Sequence, residues 1–168
     1  QFFPSAGWGD WWVGCPDMGS GERQPGNWTF QLLSFIEESA RRQVGQGFKC
    51  SDPNSRDAIG KMVATPIATF YCPSRRDAKA YPWLNSGNYN FTPPELAAKT
   101  DYAGSFGDLN QTSSDIGPRT LDGYATYKWK HSGDAFLQAL GGHTGVIFQR
   151  SESGAAAWNR EMTRRAAP

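Results

Sequence analysis

A chain of 168 residues is the size of one domain, and 17 Lys and Arg against 16 Asp and Glu leave a net charge of +1. A balance so close to neutral sets up no long-range field to draw in nucleic acid or an anionic membrane, and no run of about 18 apolar residues is long enough to span a bilayer. Seven Trp, six Tyr and ten Phe, set among 19 Gly and 11 Pro, predict a loop-rich domain whose core is aromatic rather than aliphatic.

Residues 1–26 read as an extended loop punctuated by glycines from Gly7 to Gly26. Trp8, Trp11 and Trp12 within it are expected to pack as core on the following helix, the alternative being an exposed carbohydrate platform. Asn27 is the expected N-cap of that helix and Gly45 or Gly47 its stop. Trp28, Leu32, Phe35, Ile36 and Ala40 recur on one face at helical spacing, while Glu37 and Glu38 stand four residues before Arg41 and Arg42 on a solvated face.

Ser55 is a candidate cap for a second, short helix, Arg56 to Ala64, which Pro66 must end because proline cannot continue the hydrogen-bond ladder. Ile67 to Tyr71 then reads as a strand stopped by Cys72-Pro73. The stretch from Ala80 to Pro94 is turn-rich, and Pro93-Pro94 is positioned to open a single helical turn over Glu95 to Ala98. Asp101 to Gly107 reads as a short strand, followed by a polar connection to Asp122-Gly123. Val146-Ile147-Phe148 has the β-branched and aromatic content of another strand, and residues 154–167 are helical by propensity. The expected class is α+β: one main amphipathic helix packed on a small antiparallel sheet, with long ordered loops.

Cys15, Cys50 and Cys72 allow one internal disulfide and leave one thiol. Cys50 with Cys72 is the preferred pair, because only a short helix is expected between them; three buried thiols in a reducing compartment is the competing reading. No Cys/His spacing typical of structural zinc is present. The chain does not begin with a basic, then apolar, secretory signal, so the expectation is a cytosolic protein or a targeting segment upstream of Gln1.

Several segments together carry a resemblance. Trp8-Gly9, Gln24-Pro25-Gly26-Asn27-Trp28 and Leu33-Ser34-Phe35-Ile36-Glu37 are followed by Phe70-Tyr71-Cys72-Pro73-Ser74-Arg75-Arg76, Lys99-Thr100-Asp101-Tyr102-Ala103-Gly104 and Thr144-Gly145-Val146-Ile147-Phe148. In this order the chain resembles, over roughly residues 2–152, the core of a large bacterial family of prepilin-type, pseudopilin-like proteins of unknown function. The family's long apolar N-terminal helix has no counterpart. Ser153-Gly154-Ala155-Ala156-Ala157-Trp158 and a basic tail, residues 153–168, stand where an Asp-Gly-Thr-Ser-Asn-Thr turn is expected. The resemblance implies a pseudopilin-like α+β domain, residues 1–152, acting outside the cytoplasm as a structural or surface-assembly subunit, with filament subunits as partners.

The residues offer chemistry of their own. Asp108, Asn110, Asp115 and Asp122 crowd a Gly-rich stretch, and hard oxygen donors in a flexible loop suit calcium. The resemblance points to the same place, since related pseudopilins hold calcium in their late loops; a solvated acidic loop is the plain alternative. The only histidines, His131 and His143, flank Asp134. With it or with Asp122 they could hold zinc or another metal that activates a water, which would make the chain a small hydrolase of esters or lactones. Ser105 makes no nucleophile elbow, because Ala103 occupies the place of the first glycine. Cys72 beside Arg75 and Arg76 is either an activated thiol or a structural residue at a strand end. The two arginines either take a phosphate or carboxylate, or pair with Asp77 or another acid and pin their loop. Sequons begin at Asn27, Asn90 and Asn110.

Overall fold

The computed structural model describes residue 4 and residues 7–21, 23–85, 87–104 and 117–127. They build an α+β, loop-rich fold in which three helices and a two-stranded antiparallel sheet are joined by 3-10 turns. The helices are α1 (Trp28–Leu32), α2 (Ser39–Arg42) and α3 (Pro53–Ala64). The strands are β1 (Tyr81–Pro82) and β2 (Leu96–Ala97), with Tyr81 opposite Ala97 and Pro82 opposite Leu96.

Asn27 caps α1 as expected, its side-chain oxygen accepting from the Thr29 N–H at 3.1 Å. The helix does not run on to Gly45. A 3-10 turn, Leu33–Phe35, follows it, and Glu37 adopts a left-handed conformation at φ 64°. The Glu38 N–H then reaches the Leu33 carbonyl at 3.0 Å, the six-to-one bond that closes a helix with a left-handed residue one position earlier. Glutamate therefore sits where a helix end usually has glycine, and the stop is invisible to a glycine rule.

The buried face is rotated as well. Phe30, Gln31 and Leu33 face inward, whereas Phe35 is 82% exposed. Phe30 lies over Gly14, where any β-carbon would occupy the ring's place, and Arg42 covers its other side with the guanidinium 4.2 Å from the ring centroid. Arg42 consequently has no pairing with Glu38, which holds Arg41 at 2.7 Å instead. Arg41 in turn donates to the Thr65 carbonyl at 2.9 Å, tying α2 to the C-terminal end of α3.

The longest helix is α3, begun by Pro53 in its first turn and ended before Pro66. Ser55 is not its cap; it lies buried within the helix, and Asp52 takes the N-cap position. The helix packs on the sheet, where the Ala98 N–H donates to the Val63 carbonyl at 2.9 Å. Arg56 clasps the 89–91 segment through the Tyr89 and Phe91 carbonyls. Ile67 to Tyr71 makes a 3-10 turn, Ala68–Phe70, rather than a strand, because Phe70 and Tyr71 donate back to Ile67 and Ala68. Pro93-Pro94 leads into β2 instead of a helical turn, with the Trp83 N–H joined to the Glu95 carbonyl at 2.9 Å.

Cys15 is joined to Cys50, and Cys72 is free. The expected pairing of Cys50 with Cys72 fails because α3, 12 residues long, carries the chain about 18 Å onward between them. Both bridged cysteines are buried with Ile59 and Phe91 in one core cluster. Closing a loop of 35 residues removes about 4 kcal/mol of unfolded-chain entropy. Gln24, fully buried beside the bridge, accepts from the Cys15 and Gly26 N–H groups at 2.9 Å each and donates to the Cys15 carbonyl at 2.8 Å. Asn90 does the same for Val13, accepting its N–H at 2.9 Å and donating to its carbonyl at 2.7 Å.

Trp8 and Trp12 of the first loop form the second core cluster. Trp8 meets Trp12 edge-on at 5.0 Å and stacks on Tyr124 at 5.4 Å, and the Trp12 indole donates to the Pro118 carbonyl at 2.8 Å. They pack mainly on Tyr89 and the 121–127 segment rather than along α1. With Trp8 and Trp12 buried, neither can serve as a carbohydrate platform.

Candidate functional site

Two segments far apart in sequence meet at Asp101. Its carboxylate accepts the Cys72 N–H at 3.0 Å, the Arg75 guanidinium at 2.9 Å and the Arg76 guanidinium. The Asp101 side chain is only 1% exposed, so these three donors replace water around it. The hydrogen bond from Arg76 and its charge, together with the Cys72 N–H, hold the carboxyl below its ordinary value of 3.8. Arg76 also lies 5.1 Å from the Tyr81 ring centroid and 5.6 Å from that of Tyr71. The acid that pins the arginines is thus Asp101, not Asp77.

Tyr71 completes the joint. Its hydroxyl donates to the Lys79 carbonyl at 2.9 Å and accepts from the Lys99 N–H at 2.7 Å. The Asp101 N–H bonds the Phe70 carbonyl at 2.9 Å. Residues 98–101 are therefore fastened along one side to the 70–76 segment and along the other to α3.

That fastened segment forms one wall of a partly open cavity of about 270 Å³. Phe30 and Leu33 face it from the α1 side, Met62 and Val63 from the end of α3, and Ile67 and Phe70 from the turn that follows. Lys99 and Thr100 stand on the wall itself. The floor is apolar because α1 turns Phe30 and Leu33 inward.

Cys72 is a partly exposed thiol whose sulfur lies 3.1 Å from the Ser74 hydroxyl. That hydrogen bond, with help from the backbone at Ser74 and Arg75, pulls the thiol below its ordinary value of 9.0 against partial desolvation and the charge of Asp101. A proton-accepting histidine would be needed to make it a nucleophile of the paired type, and both histidines lie outside the described residues.

Of the remaining residues singled out by sequence, His131, His143, Asp134, Asp108, Asn110 and Asp115 also lie outside the described residues. Asp122 opens the 3-10 turn Asp122–Ala125 and is exposed. Among the described residues no group of three or more His, Cys, Asp or Glu side chains could hold a metal ion. Asn27 is exposed, whereas the second sequon's Asn90 is buried and committed to Val13. Sequence reasoning missed Gln24, Asn90 and the Asp101 joint, because a polar side chain that serves distant backbone carries no local signature.

Compared with protein-family models, with curated proteins and with solved structures, the chain matches none. What fold and site define together is a class: a loop-rich α+β scaffold braced by a buried disulfide and by polar side chains used as backbone partners. Among the described residues no helix is long and apolar enough to cross a membrane.

Proposed function

We propose that this chain is a non-enzymatic, extracytoplasmic, pseudopilin-like structural or surface-assembly subunit. The observation that carries the reading is the buried Cys15–Cys50 bridge, since such bonds form and persist in oxidising compartments. The segments behind the family resemblance also support it. Gln24, Asn27, Arg75, Arg76 and Asp101 each spend side-chain hydrogen bonds or ion pairs on holding loops in place.

Calcium belongs to this reading as the ligand of the late loop, held by Asp108, Asn110, Asp115 and Asp122, where it would neutralise the carboxylates and tie their loop. Its test is thermal: the melting temperature rises with added calcium and falls on chelation, and a chelator without effect removes the ion from the proposal.

The structural role is tested on protein recovered from an oxidising compartment. Peptide mapping without reduction finds Cys15 linked to Cys50, chemical cross-linking captures further subunits, and a panel of esters and lactones is not turned over. Ester or lactone hydrolysis that disappears in His131→Ala and His143→Ala variants, with the fold retained, would replace the structural role by a metal-dependent hydrolase.

A further inference from the structure

The cavity beside residues 98–101 plays no part in the structural role. We propose that it is a binding site for a small amphipathic carboxylate, an apolar body with a single anionic head. A volume of about 270 Å³, filled at the density of a protein interior, accommodates roughly ten non-hydrogen atoms.

The body follows from the wall. Phe30, Leu33, Met62, Val63, Ile67 and Phe70 offer hydrocarbon and ring surface. The hydroxyls around them are already engaged by the chain itself. Thr29 donates to the Asn27 side chain, Thr65 donates to the Lys61 carbonyl at 2.8 Å, and Thr100 accepts from the Tyr102 N–H at 3.1 Å. A sugar or other polyol entering here would lose hydrogen bonds to water and find few in exchange.

The head follows from charge. Among the described residues Lys99 is the one charged residue lining the cavity, no carboxylate lines it, and no ion pair includes Lys99. Its backbone is fixed by the Tyr71 hydroxyl at 2.7 Å, and that of Ala98 by the Val63 carbonyl at 2.9 Å, so the root of the lysine stem is held at the rim. Beside apolar walls an ammonium–carboxylate pair is screened less than in open water. The same charge turns away a ligand with a cationic head.

Titrating the whole chain with octanoate, followed by calorimetry and by tryptophan fluorescence, tests the site, because Trp12 lines the cavity and Trp28 packs on Phe70. Octanoate is expected to bind with one-to-one stoichiometry, 1-octanol about tenfold or more weaker, and octylamine and acetate not measurably. In Lys99→Met, octanoate affinity should fall to that of 1-octanol. Val63→Phe and Ala98→Leu, two independent ways of filling the space, should abolish binding of both, and each guards against loss of fold in the other. Octanoate binding that is unchanged in Lys99→Met, undiminished in a folded filling variant, or matched by octylamine overturns the proposal.

Discussion

Gln24→Leu removes a polar side chain that holds the disulfide loop in place while keeping its bulk. In the native protein the amide serves four backbone groups: the Cys15 N–H and carbonyl, the Gly26 N–H, and the Gly19 carbonyl at 2.6 Å. Cys15 and Gly26 are buried, so their two N–H groups are left inside without partners, whereas the Cys15 carbonyl keeps the Met18 N–H at 3.2 Å and the Gly19 carbonyl keeps the Arg42 guanidinium at 2.6 Å. An orphaned buried group costs about 1–3 kcal/mol, which puts the loss of two at roughly 2–6 kcal/mol, a large part of the 5–15 kcal/mol typical of a whole domain. With a urea slope of about 2 kcal/mol/M, the unfolding midpoint should drop by about 2 M, measured with the Cys15–Cys50 bridge intact. Gln24→Glu should also destabilise, because a carboxylate can accept from the two N–H groups but turns a lone pair toward the Cys15 carbonyl. This variant should recover stability as pH falls and the carboxyl gains a proton to donate. A midpoint within about 0.5 M of wild type for Gln24→Leu would mean that water replaces the amide, and the account of this loop would be wrong.

Asp101 makes stability depend on pH with a definite sign. Its folded-state pKa lies below the unfolded value, so its contribution is complete above the ordinary carboxylate range and is lost as pH falls through the lower folded value. Asp101→Asn should therefore melt well below wild type at neutral pH, with the gap narrowing only below about pH 4; an equal gap at all pH values would refute it. The Cys72 thiol should react with a disulfide reagent as the one accessible thiol per native chain, with a rate–pH midpoint below 9.0 that moves up in Ser74→Ala. An unmoved midpoint would show that the Ser74 hydroxyl does not stabilise the thiolate. At Glu37, with φ 64°, Gly should be neutral or stabilising by up to about 1 kcal/mol and Val should cost about 1–2 kcal/mol in chemical denaturation. The opposite order would remove the left-handed helix end.

What the sequence determined on its own was local chemistry. Asn27 caps the helix after it because its side chain reaches an N–H only two residues on, and Pro66 ends α3 because its ring blocks the next turn. The aromatic content pointed to rings in the core, and Trp8 and Trp12 are indeed buried, since rings supply much of the apolar surface a loop-rich chain can hide. Tertiary structure decided which distant groups meet. Cys50 pairs with Cys15 because α3 carries Cys72 away, and Arg75 and Arg76 find Asp101 instead of the nearer Asp77 because Tyr71 and Phe70 anchor residues 99–101 beside them. Caps and stops act through contacts a few residues long, so the chain spells them out. Partners 26 or 35 positions apart are selected only when packing fixes which surfaces face one another.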